Sequence, residues 1–375
     1  MKQVIFFFEA HQPRRIRPYR RNEIGKNHDY FWKEKNEEIL NRVINKCYIP
    51  MTIFLIDNNF PCSISISGVL LEQLLEINSE VIDLFKEYFK SGIGELVGET
   101  YYHSLASIWN FSEFEEQVKI HEENLRKIFG IKPVTFRNTE LIYSDEISFE
   151  IKKLGYKNVL TEGTDEIISK YNPNYMYSSV AGLNLFLRNY RLSDDISFRF
   201  SNYRWNEYPL FADKYAKWIY LTPGEVINLF MDYETFGEHN WKETGIFDFM
   251  KYLPLELKKY DIELTTIKSF AEKNVSKGTI SINKIISWAD IERDLSAWLG
   301  NDLQREAFDF MISLNKNRNM HIWRILQTSD HFYYMSTKML SDQEVHEYFN
   351  PYKSPYLAFI YYTNILEDFR ITYCF

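Results

Sequence analysis

The sequence predicts an α/β fold: a parallel barrel with crossover helices, followed from about residue 285 by a helical region. Three observations predict it. Short apolar runs rich in β-branched and aromatic residues alternate with amphipathic stretches from residue 3 to about residue 270, the rhythm of parallel strands joined by helices. Each apolar run hands over to polar residues at its carboxyl end. That favours a closed barrel over an open sheet, although alternation alone fits both. Past residue 285 the strand signals stop, and residues 289–299, 303–317, 320–335 and 352–368 read as Gly-poor amphipathic helices. These form either a separate domain or a cap on the barrel. The expected division is a barrel over 1–284 and a helical domain over 285–375 packing on the barrel mouth.

Residues 4–8 read as a buried strand that delivers Glu9, His11, Gln12 and Pro13 to its end. Residues 29–46 read as a helix and 51–56 as a second strand. Ile64, Ile66 and Val69 belong to a strand or to the entry of a helix over 68–75. Residues 79–90 carry Val81, Ile82, Leu84, Phe85, Tyr88 and Phe89 on one broad face, a helix stopped by Gly92 and Gly94. A short strand near 95–97 leads into Glu99 and His103. Residues 112–129 read as a helix with Ser112 and Glu115 as a capping box and Gly130 as its close. Residues 133–137 form a strand ending at Asn138, Thr139 and Glu140; 144–154 form a helix; 158–161 form a strand ending at Glu162. The stretch 226–241 has the strongest signal: a buried run ends in Asp232, and Glu234, Glu238, His239 and Trp241 follow.

Hydrophobic residues make up 45% and charged residues 26% of the 375, an ordinary globular balance that excludes disorder. The net charge of −8 and the lack of a dense basic face disfavour a nucleic-acid partner. Three widely spaced cysteines, Cys47, Cys62 and Cys374, fit neither a disulfide framework nor a cysteine zinc site. No signal peptide and no apolar run of membrane-spanning length is read, so a soluble cytoplasmic protein is expected. The 27 Tyr, 29 Phe and 8 Trp supply either a rich core or a groove of Tyr and Trp suited to sugar rings.

Glu140 and Asp232 each close a buried strand. Were the barrel to close, both would face one mouth, and two facing carboxylates are what glycosidic bond cleavage requires. The alternative for each is a surface ion pair or a helix cap. His11, His103, His239 and His331 lie near acidic or aromatic neighbours. They fit a metal site poorly, since no HxH or HExxH occurs; donors to sugar hydroxyls and carboxylates fit better, and a structural histidine fits equally. Trp109, Trp205, Trp241, Trp288 and Trp298 are possible stacking platforms, with a core role the default for Trp298 and Trp323. No GxGxxG or GxxxxGK[ST] occurs, which excludes the usual nucleotide sites.

Five short motifs occur in order. They are His11-Gln12-Pro13, the run 94–103 (GELVGETYYH), the run 136–141 (FRNTEL), the run 231–239 (MDYETFGEH) and the run 287–301 (SWADIERDLSAWLGN). In these the chain resembles glycoside hydrolase family 57, its α-amylase branch most closely. The resemblance implies an incomplete, seven-stranded TIM-like (β/α)7 barrel followed by helices. It implies a retaining, endo-acting enzyme on the α-1,4-glucan of starch, glycogen or maltooligosaccharides, with no obligatory metal or other cofactor. It places the nucleophile on Glu140 and the acid/base on Asp232. His11, Glu99, His103, His239, Trp241, Trp288, Asp290 and Trp298 are then the expected substrate contacts. A 4-α-glucanotransferase or branching enzyme would use the same intermediate. A metal-dependent sugar deacetylase and a non-catalytic glucan-binding protein are readings of other classes.

Overall fold

The computed structural model describes residues 1–338 and 350–374, so residues 339–349 and Phe375 of the expected 285–375 region lie outside it. The described strands are β1 (Gln3–Ala10), β2 (Ser63–Ile66), β3 (Glu95–Val97), β4 (Thr135–Arg137), β5 (Asn158–Glu162), β6 (Met176–Ser179), β7 (Asn184–Arg188), β8 (Val226–Asp232), β9 (Glu263–Thr265) and β10 (Thr279–Ile280). They form two sheets, one ordered β3-β2-β1-β8 with β9 also on β1, the other β10-β6-β7-β5-β4. Every pairing is parallel except the β6–β7 hairpin.

The sheets meet edge to edge at two short joints. At one, the Gly98 N–H donates to Thr135 O (2.9 Å) and the Arg137 N–H to Gly98 O (2.8 Å). At the other, the Asn189 N–H donates to Asn228 O (2.9 Å). Strands β1, β2, β3, β4, β5, β7 and β8 thus go round a ring whose ladder is broken twice, an incomplete barrel. Side chains span the first break: Thr135 Oγ1 donates to Glu95, and the Thr100 and Thr139 hydroxyls lie 2.7 Å apart.

Period-two alternation sorts the interior. Phe7, Val97, Leu160, Phe186 and Phe230, from five strands, share one apolar cluster and so face inward. Two residues further along each strand or its extension stands the next inward position: Glu9, Glu99, Glu162, Arg188 and Asp232. The barrel therefore carries an apolar middle and a charged carboxyl end. Two residues before the apolar tier stand Glu95, Asn158 and Asn184, which close the opposite end. Ser63 donates to Glu95 (2.7 Å), Asn158 to Thr135 (3.0 Å), Asn184 to Asn158 (2.9 Å), and the Lys268 N–H to Glu95 (2.9 Å). Glu95→Ala leaves the Ser63 and Thr135 hydroxyls and the Lys268 N–H without their shared acceptor. Each buried unmet donor costs about 1–3 kcal/mol, so a loss of ~3 kcal/mol or more is expected, read from the midpoint of chemical denaturation.

Four expectations need correction. Residues 51–56 are helical, not a strand. Lys33–Val43, a π-turn at Ile44–Tyr48 and Ile49–Asp57 run on as one helix. A short apolar run fits either period, and here Met51 and Leu55 are buried four apart. Pro50 has no N–H for the Lys46 carbonyl, which matches the irregular turn. That helix, Lys33–Asp57, is long and apolar enough by composition to cross a membrane, contrary to the expected absence of such a run. Its Leu40, Val43, Cys47, Met51 and Leu55 lie in the main core, which accounts for its apolar side.

The helix Phe111–Phe129 is capped by Asn110, whose side chain accepts from the Ser112 and Glu113 N–H groups, rather than by Ser112; Gly130 closes it as expected. Beyond the barrel the helices are shorter than expected. Of 289–299 only Ser296–Leu299 is helical, and 320–335 breaks into Met320–Ile325 and Ser329–Tyr333. The break has a cause: Thr328 Oγ1 donates to Tyr102 O (2.9 Å) and the Ser329 N–H to His103 O (2.9 Å), pulling this turn onto the barrel mouth. Asp302–Ser313 and Pro355–Tyr373 share a core with Phe136, Val159 and Leu185 of the barrel.

Candidate active site

The strand β4 ends in Arg137 and enters a tight turn, in which Asn138 donates to Ser107 Oγ and Ile142 O (both 2.9 Å). Glu140 and Leu141 both adopt the left-handed region, at φ 58° and 52°, as does His103 at 50°. Non-glycine residues held there store strain, which clusters at functional sites. The turn points Glu140 into the charged end of the barrel. One oxygen, Oε1, lies 3.3 Å from His103 Nε2 and accepts from Ser329 Oγ at 3.0 Å; the other, Oε2, accepts from Trp288 Nε1 at 2.7 Å. Of the three carboxylates around His103, only Glu140 is open: its side chain is 18% exposed, against 4% for Glu9 and 0% for Glu99.

His103 is the hub. Its Nδ1 lies 3.1 Å from Glu9 and 3.2 Å from Glu99, each of which Arg137 also approaches. Burial lowers the imidazole pKa, but Glu9, Glu140 and Glu99 together raise it well above its ordinary value, which favours the charged ring. Burial likewise pushes Glu140 up, yet His103 and Arg137 prevail and hold it below the usual range. Glu99 is held low in the same way by His103, His121 and Arg137 against burial. His11 stacks on His103, centroids 3.9 Å apart at 18°, and spans Ser67 (2.7 Å) and Asp330 (3.0 Å). Its pKa is lowered by burial and by the His103 charge, which favours a neutral ring facing a charged one.

Asp232 closes β8 opposite Glu9 in register. Burial and then the charge of Glu140 raise its pKa to about 6, against Arg137, Arg188 and His103. Asp232 thus feels Glu140 directly: two carboxyls from distant parts of the chain share one electrostatic site, one held ionised and one inclined to keep its proton. Trp288 covers this site. Its ring lies under the Arg137 and Arg188 guanidinium groups (4.9 and 5.7 Å), and Arg188 is itself fixed by Glu162 (2.9 Å) and Asp194 (2.5 Å).

A sequence profile described as Glycosyl hydrolase family 57 matches residues 5–283. A Methanocaldococcus jannaschii protein named "Putative alpha-amylase" is 46% identical over 98% of this chain and 84% of its own length. The chain belongs to glycosyl hydrolase family 57. Its fold is similar to the family 57 branching enzyme of Pyrococcus horikoshii (TM-score 0.67, 16% identity, covering 93% of this chain and 88% of that one). It is also similar to the α-amylase AmyC of Thermotoga maritima (TM-score 0.61, 14% identity, 97% and 92% covered).

In this family 57 chain, Glu140, Asp232, His11, Glu99, His103 and Trp288 come together. The other expected contacts show other partners. Trp298 is 1% exposed within the core, where no sugar reaches it, so the expectation of a subsite there is corrected. Asp290 is drawn to Lys338 Nζ (2.6 Å), which also holds Glu292 (2.8 Å). Trp241 is 58% exposed beneath Lys46 (4.6 Å), and the turn bearing it and His239 is clamped to the Lys33–Asp57 helix by Arg42–Glu238 (2.7 Å). That contact needs Gly237: at φ 108° a Cβ would fall 1.8 Å from Lys46 O. Burial lowers the His239 pKa to about 4, and the opposing charge is Glu238. Trp109 packs edge-on against buried Trp323 (6.0 Å), and His331 is a core residue against Tyr362.

Besides Arg137, the sequence pattern did not single out Arg188, Ser329, Asp330 or His121. Arg188 ends a run, 184–188, with the same apolar-to-charged signature as the other strands. Ser329 and Asp330 sit in a stretch that reads as helix. His121 is fixed as the Nε2–H tautomer, accepting from the Glu99 N–H (3.1 Å) and donating to Ile66 O (2.9 Å). Among the described residues, His11–His103–Asp330 and Glu9–Glu99–His103 are spaced closely enough to hold a cation. Both groups share His103, whose two nitrogens face carboxylates, and Arg137 already pairs with Glu9.

Proposed function

We propose that this chain is a retaining, α-amylase-type enzyme that cleaves internal α-1,4-glucosidic bonds through a glycosyl-enzyme intermediate. The observation that carries the reading is the placement of two carboxyls at the charged end of the barrel: Glu140 held by His103, Ser329 and Trp288, and Asp232 closing β8 opposite Glu9, with Glu140 shifted below its usual range and Asp232 raised. Pairs separated in this way divide into nucleophile and acid. In the first step a Glu140 oxygen attacks the anomeric carbon. The bond to the leaving sugar's O4 breaks, and O4 takes the Asp232 proton. In the second step Asp232 takes a proton from water, the water oxygen bonds to the anomeric carbon, and Glu140 is released. His103, Trp288 and Ser329 hold the nucleophile; His11 and Glu99 fix His103. The name carried by the Methanocaldococcus jannaschii relative supports the substrate class.

A second glucan can take the intermediate in place of water, and the likeness to a branching enzyme keeps that reading alive. Incubation with a maltooligosaccharide series, resolved by chromatography, separates the two. Products no longer than the substrate are expected; products longer than the substrate would reassign the chain as a transferase. A chelator is expected to leave the rate unchanged. Loss restored by zinc would instead point to a metal-dependent hydrolase.

A further inference from the structure

We propose that Ser329, carried by the turn beyond the barrel, is a positioning residue for Glu140. The inference rests on the reading of Glu140 as nucleophile and goes beyond the residues covered by the family profile, which end at 283.

The turn is built to stay where it is. Thr328, Ser329, Tyr102 and His103 are buried, and Ser104 and Thr328 form an antiparallel bridge. Gln117 donates to Gln327 (3.1 Å), and Arg324 forks onto Glu113 (2.7 and 3.1 Å). So placed, Ser329 Oγ donates to Glu140 Oε1 at 3.0 Å, while its own N–H is tied to His103 O at 2.9 Å. Asp330 lies against His11 at 3.0 Å and raises the Glu140 pKa through its charge. Trp288 donates to the other oxygen at 2.7 Å, and the remaining charged groups acting on Glu140 come from the barrel: His103, Arg137, Asp232 and Glu9. Asp330 itself faces His11, His103, Arg15 and Tyr334.

A hydroxyl donor stabilises the ionised carboxylate, so losing it makes Glu140 harder to ionise. The nucleophile must be ionised, so the acid limb of kcat/KM against pH reports on it. The test is that profile for the full chain on a maltooligosaccharide, for Ser329→Ala and Ser329→Thr, with thermal midpoints alongside. Ser329→Ala is expected to cut kcat by about ten- to a hundred-fold, as for a lost bond to a charged group, and to move the acid limb to higher pH. Ser329→Thr, which keeps the hydroxyl, is expected to restore the limb. A purely structural turn would lower the midpoint and leave the limb in place in both, and that result overturns the proposal. If Glu140→Gln is inactive while the limbs coincide, only this inference fails. If Glu140→Gln still turns over, the assignment of the nucleophile fails first.

Discussion

Glu140→Gln is expected to slow turnover by about ten-thousand-fold or more, as removal of a covalent nucleophile does, with the fold intact. The fold survives because the substitution is local. Glutamine keeps one acceptor oxygen, enough for Trp288 on one side or for Ser329 on the other but not for both, and the left-handed backbone at φ 58° costs it no less and no more than glutamate. His103 loses one of three carboxyl neighbours and keeps Glu9 and Glu99. The thermal midpoint should therefore move by only a few degrees. A second variant tests the role rather than the importance. Glu140→Ala opens the space on the face from which the nucleophile attacks, and azide can occupy it. The product expected from an α-maltooligosaccharide fluoride is then the β-glycosyl azide, with the anomeric carbon inverted once. Recovery of the α-azide, or substantial hydrolysis by Glu140→Gln, would remove Glu140 from the nucleophile's place.

Much of this site is legible in the sequence because one rule generates it. Inward positions on a strand recur every second residue, so an apolar residue at the end of a buried run is followed, two places on, by whatever faces the mouth. Phe7 leads to Glu9, Val97 to Glu99, Leu160 to Glu162 and Phe230 to Asp232. Arg188 obeys the same rule after Phe186 and was missed because the flanking β6–β7 hairpin breaks the strand–helix rhythm. What the rule cannot reach is set by tertiary contact. The 51–56 run is helical because it continues a helix already docked on the core, not because its residues exclude a strand. Trp298 belongs to a motif yet faces the core, since four residues of helix at Ser296–Leu299 turn it inward. Ser329 and Asp330 break a helix-like pattern only because Tyr102 and His103 offer carbonyls to Thr328 and Ser329. Nothing local marks that break.

Asp232→Asn is expected to reduce kcat on maltooligosaccharides by about a hundred- to ten-thousand-fold, the range for loss of a general acid, and to change which step is slow. A poor leaving group needs its proton; a good one does not. With an aryl α-maltoside bearing an acidic phenol, the first step should proceed and the glycosyl-enzyme accumulate, visible as a burst of phenol and a mass increase on Glu140. Azide, which needs no general base, should then release the sugar as the α-glycosyl azide, the anomer opposite to that from Glu140→Ala. The pH profile carries the same logic. On the proposed mechanism Glu140 must be ionised and Asp232 protonated. Because burial and the Glu140 charge lift Asp232 only to about 6, kcat/KM should fall as pH rises through about 6. On the aryl substrate, where the proton is dispensable, that alkaline limb should flatten for native enzyme and vanish for Asp232→Asn. A limb that persists unchanged in Asp232→Asn would show that another group supplies the proton. Glu234 is the next candidate: it is buried two residues on, hydrogen-bonded to Tyr48, and raised to about 8 by burial and by Asp232.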